Sequence, residues 1–257
     1  MLRLVLPGVN LPRAGSTRMA RNAQRPRVVA IETSGRLGSV ALGVEGTPVD
    51  VVVFSTEANH AVELLPTIER LTAHRGWPAD SIDQFYVSAG PGSFTGLRIG
   101  ITVARTLAMA VGAKVAAVPT VDVLACNALA VLDPPEHLAV VLDAKRKQVY
   151  TAVFRLDGGR YRKVVDACVM APADLLARTA RPLALLGEGV VYHRSALTGP
   201  EVSVLDEELN RPRAEVVLQL GWELACSGQF TDPTRLVPIY LRRPEAEDLW
   251  NARHGQA

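Results

Sequence analysis

The sequence predicts an α/β protein of two similar lobes, each built in the order βββαβαβ around a mixed sheet. Three observations carry this expectation. Two short apolar strands end on an acid at matching points, Ala30-Ile31-Glu32-Thr33 and Val141-Leu142-Asp143-Ala144. Each is followed by a turn and a second strand, Val40-Ala41-Leu42 or Tyr150-Thr151-Ala152. Strands then alternate with helices in both halves, which places parallel strands in a common sheet.

Taken in order, Val28-Val29-Ala30-Ile31 is β-branched and apolar, Ser34 to Gly38 is a turn, and Ser39 to Val44 is a second strand. Glu45-Gly46-Thr47-Pro48 turns the chain into a third strand, Val49 to Ser55. Tight turns between three strands make an antiparallel meander. A helix is predicted over Ala61 to His74, with Val62, Leu65, Ile68 and Leu71 (or Leu64) on one stripe and Pro66 near its start or at a kink. Gln84 to Ala89 reads as a strand, Thr95 to Val111 as a long helix, and Lys114 to Val118 as a strand. In the second half, strands are predicted near Leu138 to Asp143, Gln148 to Arg155 and Arg160 to Met170, then a helix over Pro172 to Ala180. Leu183 to Leu186 and Val202 to Leu205 follow as strands, and Arg213 to Ser227 as a helix begun after Pro212.

Composition narrows the class. A chain of 257 residues that is 48% hydrophobic buries roughly three quarters of its unfolded surface without disulfide or metal staples. Its formal net charge of +2 gives no overall electrostatic reason to expect nucleic-acid binding. The charge is uneven, however: residues 1–27 hold six arginines and no acid, leaving 22 basic and 26 acidic residues elsewhere. We read residues 1–26 as a disordered basic leader. Its apolar run Leu4-Val5-Leu6 stops at Pro7, too short for a signal-peptide core, and Met19 offers an alternative start. The chain contains no run of 18 or more apolar residues, so no membrane span is expected. Cys126, Cys168 and Cys226 are odd in number and widely separated, which reads as buried thiols in a reducing, cytoplasmic compartment.

The stretch Ser88 to Gly100, SAGPGSFTGLRIG, runs from a strand through glycines into a helix. Such a junction presents amides and the positive end of a helix to an anion. Gly90, Gly92 and Gly96 are one residue too widely spaced for the dinucleotide fingerprint, and no GK[ST] follows. Ser93 does not stand in a GxSxG elbow. The glycines serve either an anion or simply a tight turn. The helix that follows carries Gly96, Gly100, Ala104, Ala108 and Gly112 at intervals of four, a ridge on which another element packs closely. Two readings stand: the ridge meets the chain's own sheet and helix, or it meets a helix of a second protein. The histidines form neither HExxH nor HxxxH, so neither a metal site nor a catalytic residue is assigned.

At this point five blocks resemble the TsaB family of bacterial tRNA threonylcarbamoyladenosine biosynthesis proteins. They are Ala30-Ile31-Glu32-Thr33-Ser34, His60 to Pro66, Gly90 to Gly100, Asp143-Ala144-Lys145-Arg146 and Pro238-Ile239-Tyr240-Leu241-Arg242. The resemblance implies two RNase H-like lobes of the actin, Hsp70 and sugar kinase type. The first lobe is expected over residues 27–120, completed by about 237–257, and the second over 121–236. It implies a non-catalytic scaffold that binds the metal-holding catalytic subunit TsaD, joined by the ATPase TsaE, with tRNA reached only through the complex. A homodimer is a second use of the same face when the chain is alone.

The interface residues that the resemblance implies are Val62, Leu65, Glu69, Gly96, Arg98, Gly100, Ala104 and Ala108. The nucleotide or anion residues are Glu32, Thr33, Ser34, Gly92, Ser93, Thr95 and Asp143. No cofactor is intrinsic, and ATP or ADP with Mg²⁺ is placed at the partner interface. Two features depart from the family: the long leader, and Glu32 where Asp is common. The competing readings are an ATP-dependent kinase or ATPase of the same superfold, using Glu32 and Asp143 around Mg²⁺, and a glycoprotease-type metallopeptidase.

Overall fold

The computed structural model describes residues 25–54 and 60–240. The expected leader over 1–26 lies almost wholly outside them, as does the stretch 241–257. The first half folds as β1 (Arg27–Glu32), β2 (Ser39–Val44), β3 (Thr47–Val53), α1 (His60–His74), β4 (Gln84–Gly90), α2 (Phe94–Val111) and β5 (Lys114–Pro119). The second half continues with α3 (Thr120–Asn127), β6 (His137–Asp143), β7 (Val149–Asp157), β8 (Arg160–Met170) and α4 (Pro172–Ala177). It ends with β9 (Leu183–Leu186), α5 (Gly189–Tyr192), β10 (Val202–Val204) and α6 (Ala214–Cys226).

Each half contributes one five-stranded mixed sheet, in the orders β3-β2-β1-β4-β5 and β10-β9-β6-β7-β8. Counted from each half's own first strand, the two orders are the same. β1 pairs antiparallel with β2 and parallel with β4, and β6 pairs antiparallel with β7 and parallel with β9. The two-lobed α/β class predicted from the duplicated pattern is therefore the fold.

Alternation along β1 explains how the first sheet is covered. Val29 and Ile31 face one side, with Leu64, Ile68 and Leu71 of α1 and Ile101, Ala104 and Ala108 of α2. Val28 and Ala30 face the other, with Val216, Val217 and Leu218 of α6. Helix α6, read from the sequence with the second half, thus lies on the first sheet. Helix α3, over a stretch for which the pattern predicts no element, is divided between the lobes. Its Val123 joins the first sheet's core, and Val121, Leu124 and Ala125 join the second's. A helix buried nearly all round carries no amphipathic period to read.

Helix α2 has the length and hydropathy of a membrane span, but Leu97, Ile101, Ala104 and Ala108 are buried in the lobe's own core. One local expectation needs correction. Of the three free thiols, expected to be buried, Cys126 and Cys168 are partly buried and Cys226, the last residue of α6, is exposed.

Candidate functional site

The two lobes enclose a cleft of about 730 Å³ at the carboxyl ends of β1, β4 and β6, the end of an α/β sheet where ligands usually bind. The first lobe supplies Ser34, Gly35 and Arg36 after β1, and Gly92 to Gly96 after β4. The second supplies Leu142 to Lys145, Tyr150, Glu188 and Tyr192.

The duplicated acids have unlike surroundings. Glu32 is fully buried, and its Oε1 accepts hydrogen bonds from both the amide and the hydroxyl of Ser34 at 2.5 Å. Burial raises its pKa above the ordinary carboxylate value, and the Ser34 bonds offset that only in part. Asp143 accepts from the Lys145 ammonium at 2.8 Å, the Lys145 amide at 3.0 Å and His193 Nε2 at 3.1 Å. Burial pushes its pKa up, but the Lys145 and His193 bonds outweigh that and hold it below the ordinary value. Glu188 is pushed up, first by burial and then by the charge of Asp143. Of the two acids that line the cleft, Asp143 is the one whose ionised form its neighbours favour. Glu32 is fully buried and does not line the cleft.

The glycine loop is committed mainly to the chain itself. The Ser93 amide donates to the Ser34 carbonyl at 2.8 Å, and the Ser93 hydroxyl accepts from the Gly96 amide at 3.2 Å as the cap of α2. A Cβ on Gly92 would lie 2.6 Å from the Ser34 carbonyl oxygen. The tight-turn reading accounts for these glycines without an anion. Of the residues expected around a nucleotide, Ser34, Gly92, Ser93, Thr95 and Asp143 line the cleft, while Thr33 is buried under α2 with its hydroxyl at Gly100.

The small-residue ridge is also used internally. Gly96, Gly100, Ala104 and Ala108 are buried, and a Cβ at Gly96 or Gly100 would stand 2.0 Å or 2.2 Å from Thr33 oxygens. These four residues are buried within the lobe, Gly96 and Gly100 against Thr33, and Ala104 and Ala108 in the core shared by the sheet and α1. The same two helices present other residues outward. Val62 is 68% exposed, Leu65 49%, Phe94 45% and Met109 55%, with Glu69 and Arg98 also exposed. Arg98 lies 3.8 Å over the Phe94 ring and donates through Nε to the Tyr240 hydroxyl at 3.0 Å. Tyr240 is held there because the Ile239 amide donates to the Ala89 carbonyl at 2.7 Å.

Sequence reasoning overlooked Tyr192 and His193. Their only forewarning is the turn Gly187-Glu188-Gly189 at the end of β9, which carries α5 to the cleft. Gly187 there has φ +120, and a Cβ would meet the Val141 carbonyl oxygen at 2.2 Å.

A family model described as TsaD, tRNA N6-adenosine threonylcarbamoyltransferase, matches residues 51–228. The chain is 30% identical to the tRNA threonylcarbamoyladenosine biosynthesis protein TsaB of Bacillus subtilis, across 87% of this chain and 97% of that protein. It is 28% identical to the Escherichia coli protein of the same name, across 84% and 94%. The solved structure of YeaZ from Pseudomonas aeruginosa is 29% identical and superposes with a TM-score of 0.72, covering 84% of this chain and all of that one. With the duplicated sheets, the glycine loop and a relative matched nearly end to end, the chain belongs to the TsaB family, within a group whose shared domain is of the TsaD type.

Proposed function

We propose that this chain works in the biosynthesis of threonylcarbamoyladenosine in tRNA as a non-catalytic subunit, and that the outer face of α1 and α2 binds a TsaD-type catalytic subunit. The observation that carries the reading is the exposure of four large apolar residues, Val62 and Leu65 on α1 and Phe94 and Met109 on α2. Single exposed apolar residues need no explanation, but four on one pair of packed helices offer apolar surface to a partner. The absence of HxxxH and HExxH from the sequence supports the accessory role over both the catalytic subunit and a metallopeptidase.

The competing ATPase reading is weakened by Glu32. Its carboxylate is sealed from the cleft and bonded to Ser34, so it does not fit a Mg²⁺-nucleotide in the first lobe. Any such ligand at the partner interface, and the joining of an ATPase such as TsaE, would depend on groups the partners bring.

The test is co-purification of Leu65→Asp and Met109→Asp with the catalytic subunit, alongside reconstituted tRNA modification. Both residues are exposed, so melting should move little, within about 0.5 kcal/mol. Capture and modification should fall at least about tenfold. Undiminished capture removes the helix face from the function.

A further inference from the structure

We infer that the chain binds a free amino acid with a small branched apolar side chain, in a cavity beside the cleft that Arg211 and Glu207 line with opposite, unpaired charges. The inference goes beyond the helix-face reading and does not depend on it.

The cavity has a volume of about 220 Å³. It shares Ser34 to Arg36, Gly92, Leu142 and Glu188 with the cleft. Its remaining wall is formed by Leu37 and Pro91, by Thr120 and Leu124 of α3, and by Glu207 and Asn210 to Pro212. The wall around Arg211 is preformed. The buried Asn127 side chain donates through Nδ2 to the carbonyls of Leu209 at 2.9 Å and Arg211 at 2.8 Å, and Asn210 Oδ1 accepts from the Gly187 amide at 2.6 Å. The backbone of this segment is thereby fixed against both α3 and the end of β9.

Size limits the ligand. An apolar cavity of about 150 Å³ takes benzene, with its six non-hydrogen atoms, so this one takes roughly nine. That admits a free amino acid and excludes a nucleotide.

Charge selects within that size. Four charged residues line the cavity: Arg36, Glu188, Glu207 and Arg211. Arg36 favours the ionised form of Glu188, so these two offset each other. Arg211 and Glu207 differ, because among the described residues neither side chain makes a hydrogen bond or an ion pair, with one another or with anything else. Arg211 is half-buried, so its guanidinium has lost part of its water without gaining a counter-ion. A ligand with a carboxylate and an ammonium offsets both charges, whereas a simple anion satisfies Arg211 and meets two acids. A guanidinium is also the side chain whose geometry matches a carboxylate.

The walls suit the ligand's body. Leu37, Pro91, Leu124, Leu142 and Pro212 are apolar. The Thr120 hydroxyl spends one hydrogen bond on Ser88 at 2.9 Å and keeps capacity for another. Apolar walls with a few fixed polar groups are the usual form of a small-molecule site.

The test is isothermal titration of the full chain with L-valine, with isovalerate, which lacks the ammonium, and with isobutylamine, which lacks the carboxylate. Valine should bind saturably and raise the melting temperature, and each analogue should bind at least about tenfold more weakly. Arg211→Met should weaken valine binding at least about tenfold, and Glu207→Gln at least about threefold while leaving the response to isovalerate unchanged. Arg211→Lys keeps the charge and should retain part of the affinity, and melting curves of each variant without ligand check that the fold is intact. No saturable binding of valine up to about 10 mM overturns the inference. So does valine affinity unchanged in Arg211→Met, or isovalerate binding as tightly as valine, which would make this a site for carboxylates alone. All of this is read on the chain by itself, so loss of partner capture in Leu65→Asp has no bearing on it.

Discussion

Gly96 and Gly100 show how a residue pattern can be legible while its purpose is not. Their four-residue spacing with Ala104 and Ala108 is plain in the sequence. What fills the groove beside Gly96 and Gly100 is decided by Thr33, the residue after β1 and more than sixty positions earlier, whose oxygens lie where their Cβ atoms would be. Gly96→Ala gains helix propensity of about 1 kcal/mol. It must also push α2 away from β1, and overpacking of this kind costs about 1–3 kcal/mol, so urea unfolding should show a net loss of stability. Glu32 makes a second residue-scale prediction. Its pKa is raised in the fold, so the folded chain holds a proton that the unfolded chain releases above its ordinary value of 4.5. Stability should then fall as pH rises from 4.5 toward the raised value and level off beyond it. Glu32→Gln keeps an acceptor for Ser34 and removes the titration. Unfolding measured across that window should lose this slope, and an unaltered slope would place the titration elsewhere.

The helices of the first lobe are two-faced elements, and their inner faces follow from apolar spacing alone. Leu64, Ile68 and Leu71 are buried while Val62 and Leu65 are outward, so of the two stripes the sequence allows, the one through Leu64 faces the core. A shift of the stripe by part of a turn is the kind of detail that propensity leaves open, because Leu64 and Leu65 are equally apolar. Pro66 stands within α1, where it has no N–H to give the Val62 carbonyl. Pro66→Ala restores that bond and relieves a cost of about 3 kcal/mol, against about 0.4–1 kcal/mol of added freedom in the unfolded chain. The variant should melt higher than the parent. A lower melting temperature would mean that the proline-shaped bend is required for α1 to meet α2.

Across the whole molecule, the two sheets repeat each other but the lobes do not close independently. α6 covers the far side of the first sheet so closely that a Cβ on Gly221 would come within 2.4 Å of the Tyr86 ring, and one on Gly43 within 2.3 Å of Leu218. α3 lends residues to both cores. A fragment ending at residue 119 would leave Val28, Ala30, Tyr86 and Val118 uncovered. It should lack a cooperative melt and dispersed amide resonances, whereas a chain through residue 240 should have both. A cooperatively folding fragment would show that the first lobe needs no cover from α6.

Strand order, most of the helices, the internal duplication and the family could be read from the residues, because each depends on neighbours a few positions apart or on a contiguous motif. The cover over the small-residue ridge, the sealing of Glu32 and the ionised state of Asp143 could not. Each depends on groups brought together across the fold: Thr33 against Gly100, and His193 against Asp143 fifty residues apart. Local order is written in period and turn chemistry, whereas accessibility and charge belong to the packed molecule, where one side chain's surroundings are another segment's surface.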